Sequence, residues 1–281
     1  MTYLHNADIL RPYGYFVPRG GPKNSFHYAH VPKAWIPYNA TQFAQTLAQR
    51  PASFRARFTR PYQVAWIVSN CHTSSKREDF VAELSKYIPV KVFGRCSNET
   101  IIETSKSKQQ RRPCDNSCYA DIRDSYKFIL GLENAHCADY VTEKFFGRVH
   151  DFVVSVNGQP LQNNNHNHYT RLAPPHSYIQ AQDFATPAAL AQYLISLSQN
   201  ETEYLSYFWW QDYYQALAAP GSGEPQARRR FFAQSMCRLC EKLHYEEDKE
   251  NDGANDDAAS TSSYANVSEW FVDEGQCQVP D

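Results

Sequence analysis

The stretch from Tyr126 to Phe146, YKFILGLENAHCADYVTEKFF, decides the predicted fold of this chain. Its apolar run, Phe128 to Leu132, stops at Glu133-Asn134, which is typical of a buried strand followed by a polar loop. A helix is predicted to start soon afterwards, with Asp139 as its N-cap residue. Because ligands of open α/β sheets bind beyond the carboxyl ends of the strands, this junction is the first candidate site.

Three side chains of this junction carry chemistry. With Asp139 as the N-cap, Tyr140, Glu143 and Lys144 would lie at positions i, i+3 and i+4 on one helix face. A lysine at a helix N-terminus suits a diphosphate, since free N–H groups and the helix dipole both favour anions. A carboxylate beside it suits a sugar diol. The pattern equally fits a capped helix with a solvated Glu–Lys pair, and this stretch alone does not separate the two interpretations.

The composition excludes several classes of protein. The chain has 281 residues, of which 42% are hydrophobic, and this allows one large domain or two of ordinary size. A net charge of −2 gives no indication of nucleic-acid binding. No apolar run reaches the roughly 18 residues of a membrane-spanning helix. The polar and aromatic start of the chain does not resemble a signal peptide.

Eight cysteines together with four Asn-x-Ser/Thr sequons favour a secretory compartment. Cys114-x3-Cys118 and Cys237-x2-Cys240 supply candidate disulfide cysteines, and a zinc site built from the same two pairs is the alternative. The pairs are about 120 residues apart, far more than in compact zinc modules, so disulfides are preferred and no metal site is expected. The sequons, which are candidate glycosylation sites, begin at Asn39, Asn98, Asn200 and Asn266.

A βαβ unit is predicted before the central stretch. Val64 to Ser69 is a buried strand, a helix with an apolar face follows, and Val90 to Gly94 is a second strand. The loop after the first strand lacks the G-x-G-x-x-G fingerprint of NAD-binding proteins, so phosphate must be held by other means. Arg77, at the start of the helix, is the candidate. The alternative is that it is a solvated helix residue beside Glu78.

The remaining segments give weaker signals. Gln162 to His168, QNNNHNH, is interpreted as a surface loop and not as a metal site. Tyr204 to Tyr214 is predicted to be an aromatic helix, and Phe231 to His244 a closing helix. Residues 246–257 contain seven acids and one lysine, which indicates a solvated acidic linker.

The central stretch resembles the signature of the α1,3-fucosyltransferases, which reads roughly Y-K-F-x-L-x-F-E-N-S followed by D-Y-[VI]-T-E-K. Other segments of the chain resemble the same family and follow its order, over residues 1 to about 245. They are MTY from Met1, PYG from Pro12, AWIVSNC from Ala65, EYLSYFWW from Glu203 and CRLC from Cys237.

This resemblance implies an α/β fold of the GT-B type, which contains two Rossmann-like domains. Residues 1–60 would be the C-terminal remnant of the acceptor-binding domain, so that this domain is only partial. Residues 61–245 would be a complete Rossmann-like GDP-fucose-binding domain, and residues 246–281 a flexible acidic tail.

The implied activity is transfer of L-fucose from GDP-β-L-fucose, with inversion, to a GlcNAc hydroxyl in α1,3 linkage on a glycoprotein or glycolipid glycan. Arginine and lysine can stabilise a diphosphate leaving group, so no cofactor is expected to be required, and a divalent metal would at most stimulate. The implied donor site has Arg77 and Lys144 at the diphosphate, Glu143 at the ribose or fucose hydroxyls, Tyr140 against the nucleotide, and Glu133 and Asn134 at the strand end.

Members of this family are type II membrane proteins of the Golgi, with the catalytic domain in the lumen. Their catalytic base lies upstream of the segment that Met1 begins here, so the base, the stem and the membrane anchor are expected outside this chain. A second departure follows Lys144, because the family's Asn-Ala-Leu and Pro are missing from Phe145 to Gly158. The alternative function is a catalytically inactive fragment that keeps nucleotide-sugar or glycan binding only.

Overall fold

The computed structural model describes residues 3, 7, 9–20, 32–98, 114–149, 152–158, 169–218, 233 and 235–244. Its strands are β1 (Gly14–Pro18), β2 (Tyr62–Ile67), β3 (Val90–Phe93), β4 (Tyr126–Leu130), β5 (Val154–Asn157), β6 (Ile179–Gln180) and β7 (Tyr214–Ala218). Its helices are α1 (Ala40–Leu47), α2 (Ala52–Arg55), α3 (Arg77–Leu84), α4 (Asn116–Ser125), α5 (Glu143–Phe146), α6 (Tyr169–Leu172), α7 (Pro187–Gln199) and α8 (Glu201–Ser206). Short 3₁₀ segments lie at Ala56–Thr59, Arg95–Asn98, Ala181–Asp183 and Trp209–Asp212, and residues 235–244 are helical.

Five parallel strands form the main sheet, in the order β3-β2-β4-β5-β6. Val64 of β2 lies opposite both Val90 of β3 and Phe128 of β4. The chain therefore moves from β2 to one side and then returns to the other, so the direction of winding reverses between β2 and β4. Such a reversal opens a crevice at the carboxyl ends of the two strands. The predicted α/β fold with a parallel sheet is confirmed.

The two faces of this sheet are covered by different helices, because successive side chains of a strand point to opposite faces. Trp66 and Phe128 face a large apolar core that includes residues of α3, α7 and α8. Ala65 and Ile129 face the other way and pack with Ile122 of α4. Helices α3 and α4 thus cover opposite faces of the sheet.

Strands β1 and β7 form a second, antiparallel sheet, with Gly14 opposite Ala218. Phe16 of β1 is fully buried, and its ring centroid lies 5.2 Å from that of Trp210. A Cβ added at Gly14 would come within 2.3 Å of the Phe146 ring, so a side chain does not fit there. The predicted domain boundary at residue 60 stays a prediction, and residues on both sides of it share one apolar core.

The aromatic run from Tyr204 to Tyr214 is not one helix, so this prediction was wrong. Helix α8 ends at Ser206, a 3₁₀ segment covers Trp209–Asp212, and Tyr214 already belongs to β7. The helical pattern yields here because β7 pairs with β1, a long-range contact that local propensity does not contain. The predicted closing helix is helical over residues 235–244.

Disulfides join Cys71 to Cys96 and Cys114 to Cys118, and Cys137 is also disulfide-bonded. The predicted disulfide at Cys114 and Cys118 is therefore present. Cys237 and Cys240 are instead exposed free thiols, which corrects their assignment as disulfide cysteines. They lie three residues apart on one helix, which holds their Cβ atoms about 5–6 Å apart. A disulfide between them would need a separation of roughly 3.5–4.5 Å.

The sequon residues Asn39 and Asn200 are exposed, and the side-chain oxygen of each caps a helix, α1 and α8 respectively. Asn98 ends a 3₁₀ segment, and Asn266 lies outside the described residues. Glycosylation at all four sequons stays a prediction. The tract 162–168 and the acidic segment 246–281 also lie outside the described residues.

Two searches of the described part of the chain found nothing. None of its helices combines the length and the apolar character that crossing a membrane requires. Nor does that part hold a group of three or more His, Cys, Asp or Glu side chains placed to bind a metal ion.

Candidate functional site

A cavity of about 280 Å³ lies where β2 and β4 end, at the crevice between them. Its floor is apolar and its walls carry polar, aromatic and charged side chains. The apolar residues are Ile67, Val68, Ile129 and Leu130; the polar and aromatic ones are Ser69, Asn70, Tyr119 and Asn134; and the charged ones are Arg77, Glu143, Lys144 and Arg148.

The loop after β2 is tied to the end of β4 by three consecutive carbonyl groups. Arg77 Nη1 donates to the Leu132 oxygen at 2.7 Å and Ser75 Oγ to the Glu133 oxygen at 2.8 Å. Ser74 Oγ donates to the Asn134 oxygen at 3.1 Å. These bonds connect the two loops that bound the cavity, so its shape is set before any ligand enters.

Arg77 is buried, with 3% of its surface exposed, and it lines this cavity. Besides its bond to Leu132, Nη2 donates to the Asn70 oxygen at 3.2 Å, whereas the buried Nε has no hydrogen-bond partner. Burial lowers the pKa of its guanidinium. The solvated-helix interpretation is therefore wrong, and Arg77 places a fixed positive charge beside the crevice.

Glu133 lies behind the cavity wall, with 8% of its surface exposed. It accepts hydrogen bonds of 2.8 Å from both the backbone N–H and the hydroxyl of Thr142, and Lys144 Nζ lies 2.9 Å from its Oε2. Burial raises the pKa of this carboxyl, although Lys144 opposes the shift. Glu133 thus positions the residues before α5 and the lysine.

The N-cap of α5 is Thr142 and not Asp139, so the predicted helix start was wrong. Thr142 Oγ1 accepts the Lys144 N–H, and the helix runs from Glu143 to Phe146. Asp139 is buried in a left-handed conformation (φ 55°), and Arg171 Nη2 donates to its Oδ1 at 2.5 Å. Tyr140 therefore precedes the helix and does not share a face with Glu143 and Lys144.

Lys144 and Glu143 form the charged pair of the cavity. Lys144 Nζ lies 2.9 Å from Thr142 Oγ1 and 3.2 Å from Glu143 Oε1, and 42% of the Glu143 side chain is exposed. Burial on its own lowers the pKa of Lys144, but the carboxylates of Glu133 and Glu143 outweigh it and raise that pKa. Burial opposes, and Lys144 drives, the lowering of the Glu143 pKa. Both side chains are thus held in their charged forms.

Tyr140 and Asn134 contact each other at the edge of the site. The Tyr140 hydroxyl donates to Asn134 Oδ1 at 3.2 Å. The Tyr140 ring packs with Tyr3 and Tyr13, at centroid distances of 5.1 and 6.4 Å. Asn134 lines the cavity, whereas Tyr140 is not one of the lining residues. Its contact with a nucleotide stays a prediction.

Sequence reasoning missed three residues of the cavity, Asn70, Tyr119 and Arg148. Asn70 follows a predicted strand, which is a position where ligand-binding groups are expected. Arg148 comes four residues after Lys144, and such a spacing favours the same side of a helix. No local pattern pointed to Tyr119, which reaches the cavity from α4.

A larger cavity, of about 420 Å³, lies between α1 and the Trp209–Asp212 segment. Its lining cation, Arg50, forms an ion pair with Asp212. This cavity is not formed by the carboxyl ends of the parallel strands, and the 280 Å³ cavity is therefore the stronger candidate.

Comparison with known proteins places these observations in a family. A model described as glycosyltransferase family 10 (fucosyltransferase), C-terminal, matches residues 58–270. Glycoprotein 3-alpha-L-fucosyltransferase A of Drosophila melanogaster is 30% identical over 249 residues, which are 86% of this chain and 41% of the relative. Alpha-(1,3)-fucosyltransferase C of the same organism is 32% identical over 180 residues, 64% of this chain and 35% of the relative.

Among solved structures, an α1,3-fucosyltransferase with GDP-fucose aligns with a TM-score of 0.42 and 19% identity, covering 59% of this chain and 42% of that one. The chain thus spans about two fifths of the length of these relatives. Because the family model matches well over half of the sequence, the chain belongs to glycosyltransferase family 10, the fucosyltransferases.

Proposed function

We propose that this chain forms the GDP-fucose-binding part of an inverting fucosyltransferase with GT-B architecture. The whole enzyme would transfer L-fucose from GDP-β-L-fucose in α1,3 linkage to a GlcNAc hydroxyl of a glycoprotein or glycolipid glycan. The observation that carries this proposal is the convergence of Arg77, Glu143 and Lys144 on one cavity at the crevice between β2 and β4. In α/β proteins that crevice is where nucleotides bind.

In this proposal Lys144 binds the diphosphate by exchanging one of its partners. The ammonium has three donors, and it already contacts Glu133, Thr142 and Glu143. The contact with Glu143 is the longest of the three, and Glu143 is far more exposed than Glu133. A phosphate oxygen therefore replaces Glu143, which then accepts hydrogen bonds from sugar hydroxyls of the donor.

Arg77 contributes a charge that does not have to move. Its bonds to the Leu132 and Asn70 carbonyls lock the guanidinium beside the cavity. Negative charge develops on the diphosphate as the bond to fucose breaks, and cations fixed in advance stabilise that charge without reorganisation. We therefore propose a reaction that requires no divalent metal.

The remainder of the reaction belongs to the whole protein. Inversion needs a carboxylate that removes the proton of the acceptor hydroxyl, and the family resemblance assigns this base to the acceptor domain. A lumenal catalytic domain anchored in the Golgi membrane is part of the same proposal. The chain here would then bind the donor without transferring fucose by itself.

Calorimetric titration of residues 1–281 with GDP tests the proposal. We expect saturable binding, and Lys144→Ala should weaken it roughly 10- to 100-fold, because a charge-assisted hydrogen bond to phosphate is lost. Lys86→Ala is the matched control, since Lys86 is exposed, pairs with Glu83 and does not line the cavity. Absence of GDP binding, or equal affinity in Lys144→Ala, would contradict the proposal.

A further inference from the structure

We propose that Arg148, stacked on Tyr119, is a further donor-binding residue of this cavity and contacts the phosphates from the α4 side of the sheet. This inference rests on the proposed function, and it concerns residues that the sequence did not single out. It predicts that the diphosphate is gripped between cations that belong to opposite faces of the sheet.

The position of Arg148 follows from an unusually tight turn after α5. The Gly147 N–H donates to the Glu143 oxygen at 2.8 Å, and the Arg148 N–H donates to the Phe145 oxygen at 2.9 Å. A Cβ on residue 147 would lie 2.5 Å from the Glu143 oxygen, so this turn needs glycine. The turn brings Arg148 into the wall of the cavity that Lys144 also lines.

Tyr119 supports the arginine from a separate helix. The Arg148 guanidinium carbon lies 4.1 Å from the centroid of the Tyr119 ring, and both residues line the cavity. Arg148 is buried, with 7% of its surface exposed. Stacking occupies the face of a guanidinium and leaves its N–H groups at the edge, which is the edge that binds phosphate in a bidentate manner.

The cations reach the cavity from two sides. Arg77 begins α3, whose apolar residues pack into the core on one face of the sheet. Tyr119 belongs to α4, whose Ile122 packs on the opposite face. With Lys144 from α5, the lining holds three cations against one acid, Glu143. This excess of positive charge suits a ligand with two adjacent phosphates better than a neutral sugar.

Titration of the full chain with GDP and with guanosine, which lacks phosphate, tests this role. Arg148→Ala should weaken GDP binding about 10- to 100-fold and leave guanosine binding unchanged. Arg148→Lys should recover part of the loss, because it keeps the charge and not the bidentate edge. Tyr119→Phe should bind GDP like the natural chain, whereas Tyr119→Leu should bind it more weakly, since the ring is lost.

Arg123→Ala is the matched control, because Arg123 lies on α4, pairs with Asp124 and does not line the cavity. Unchanged GDP affinity in Arg148→Ala would overturn the inference and leave the proposed function standing. An equal loss of GDP and guanosine affinity would also overturn it, since that result indicates a structural role. Failure of the natural chain to bind GDP would instead remove the proposed function and this inference with it.

Discussion

Strand β4 has buried cations at both of its ends, and the two ends satisfy them differently. At the amino end, Lys127 Nζ donates to the Ser198 oxygen at 2.7 Å and lies 4.3 Å from the Phe58 ring centroid. Arg57 lies between aromatic rings there, 4.5 Å from Phe54 and 4.3 Å from Phe152. The contacts of this end are carbonyl oxygens and rings, which cannot leave without unfolding the core.

At the carboxyl end, Lys144 is neutralised by carboxylates, and one of them, Glu143, is largely exposed. Arg77 keeps a buried Nε without a partner, and both cations line a cavity. The difference shows that a buried cation does not by itself make a binding site. What distinguishes the carboxyl end is a partner that can be exchanged, next to space for a ligand.

The largest expected effect comes from removing the carboxylate at the base of the carboxyl end. Glu133→Ala leaves the N–H of Thr142 and the ammonium of Lys144 without their acceptor. Breaking a buried pair in this way costs roughly 3–5 kcal/mol of unfolding free energy. Urea unfolding measures it, with Glu133→Gln as the control that keeps an acceptor for Thr142. A loss no larger than that of Glu143→Ala would contradict the anchoring role of Glu133.

The next effect sets the pH at which the two ends can be compared. His176 is stacked between Tyr38 and Tyr207, at centroid distances of 4.1 and 4.2 Å. Burial lowers its pKa from 6.5 to about 4. Between these values the unfolded chain binds a proton that the folded chain does not bind. Stability is therefore complete above pH 6.5 and falls as the pH drops towards 4, by up to about 3 kcal/mol.

Urea unfolding at several pH values between 7 and 4 measures this loss. His176→Gln should flatten the dependence, because glutamine has no proton to take up in that range. An equally steep dependence in His176→Gln would assign the acid sensitivity to other groups. Binding to the two ends of β4 is best compared above the pH window of His176.

The smallest effect of the three tests the amino end. Arg57→Met keeps an unbranched side chain but removes the cation, whose pKa burial lowers to about 10. We expect a loss of about 2 kcal/mol in unfolding free energy, from the contacts with the aromatic rings. GDP affinity should not change. Arg57→Lys, which keeps the charge, is the control, and a loss of GDP affinity in Arg57→Met would erase the distinction between the two ends.

Much of the fold could be predicted because its strands are short, apolar and bounded by polar residues. The strands at Val64 and Phe128 were recognised in this way. Since parallel strands end at one edge of a sheet, the meeting of Arg77 and Lys144 followed from that recognition. The charges of the site were thus accessible from local patterns.

The remainder depends on contacts between distant residues. Asp139 has the right residue type for an N-cap, but Arg171, which comes 32 residues later, is its partner. Tyr214 continues an aromatic run, yet its backbone pairs with Pro18 of β1. The stacking of Arg148 on Tyr119 joins two segments that no motif connects. Each of these depends on tertiary structure overriding a local preference.

The pairing of β1 with β7 also has a consequence for the order of events on the ribosome. Gly14 must wait for Ala218, about two hundred residues later, before it can form its ladder. At typical rates of synthesis, roughly 5–20 residues per second, this delay lasts tens of seconds. Strand β1 therefore remains an unpaired edge while the parallel sheet is already being made, and the nascent chain depends on keeping that edge covered until translation reaches β7.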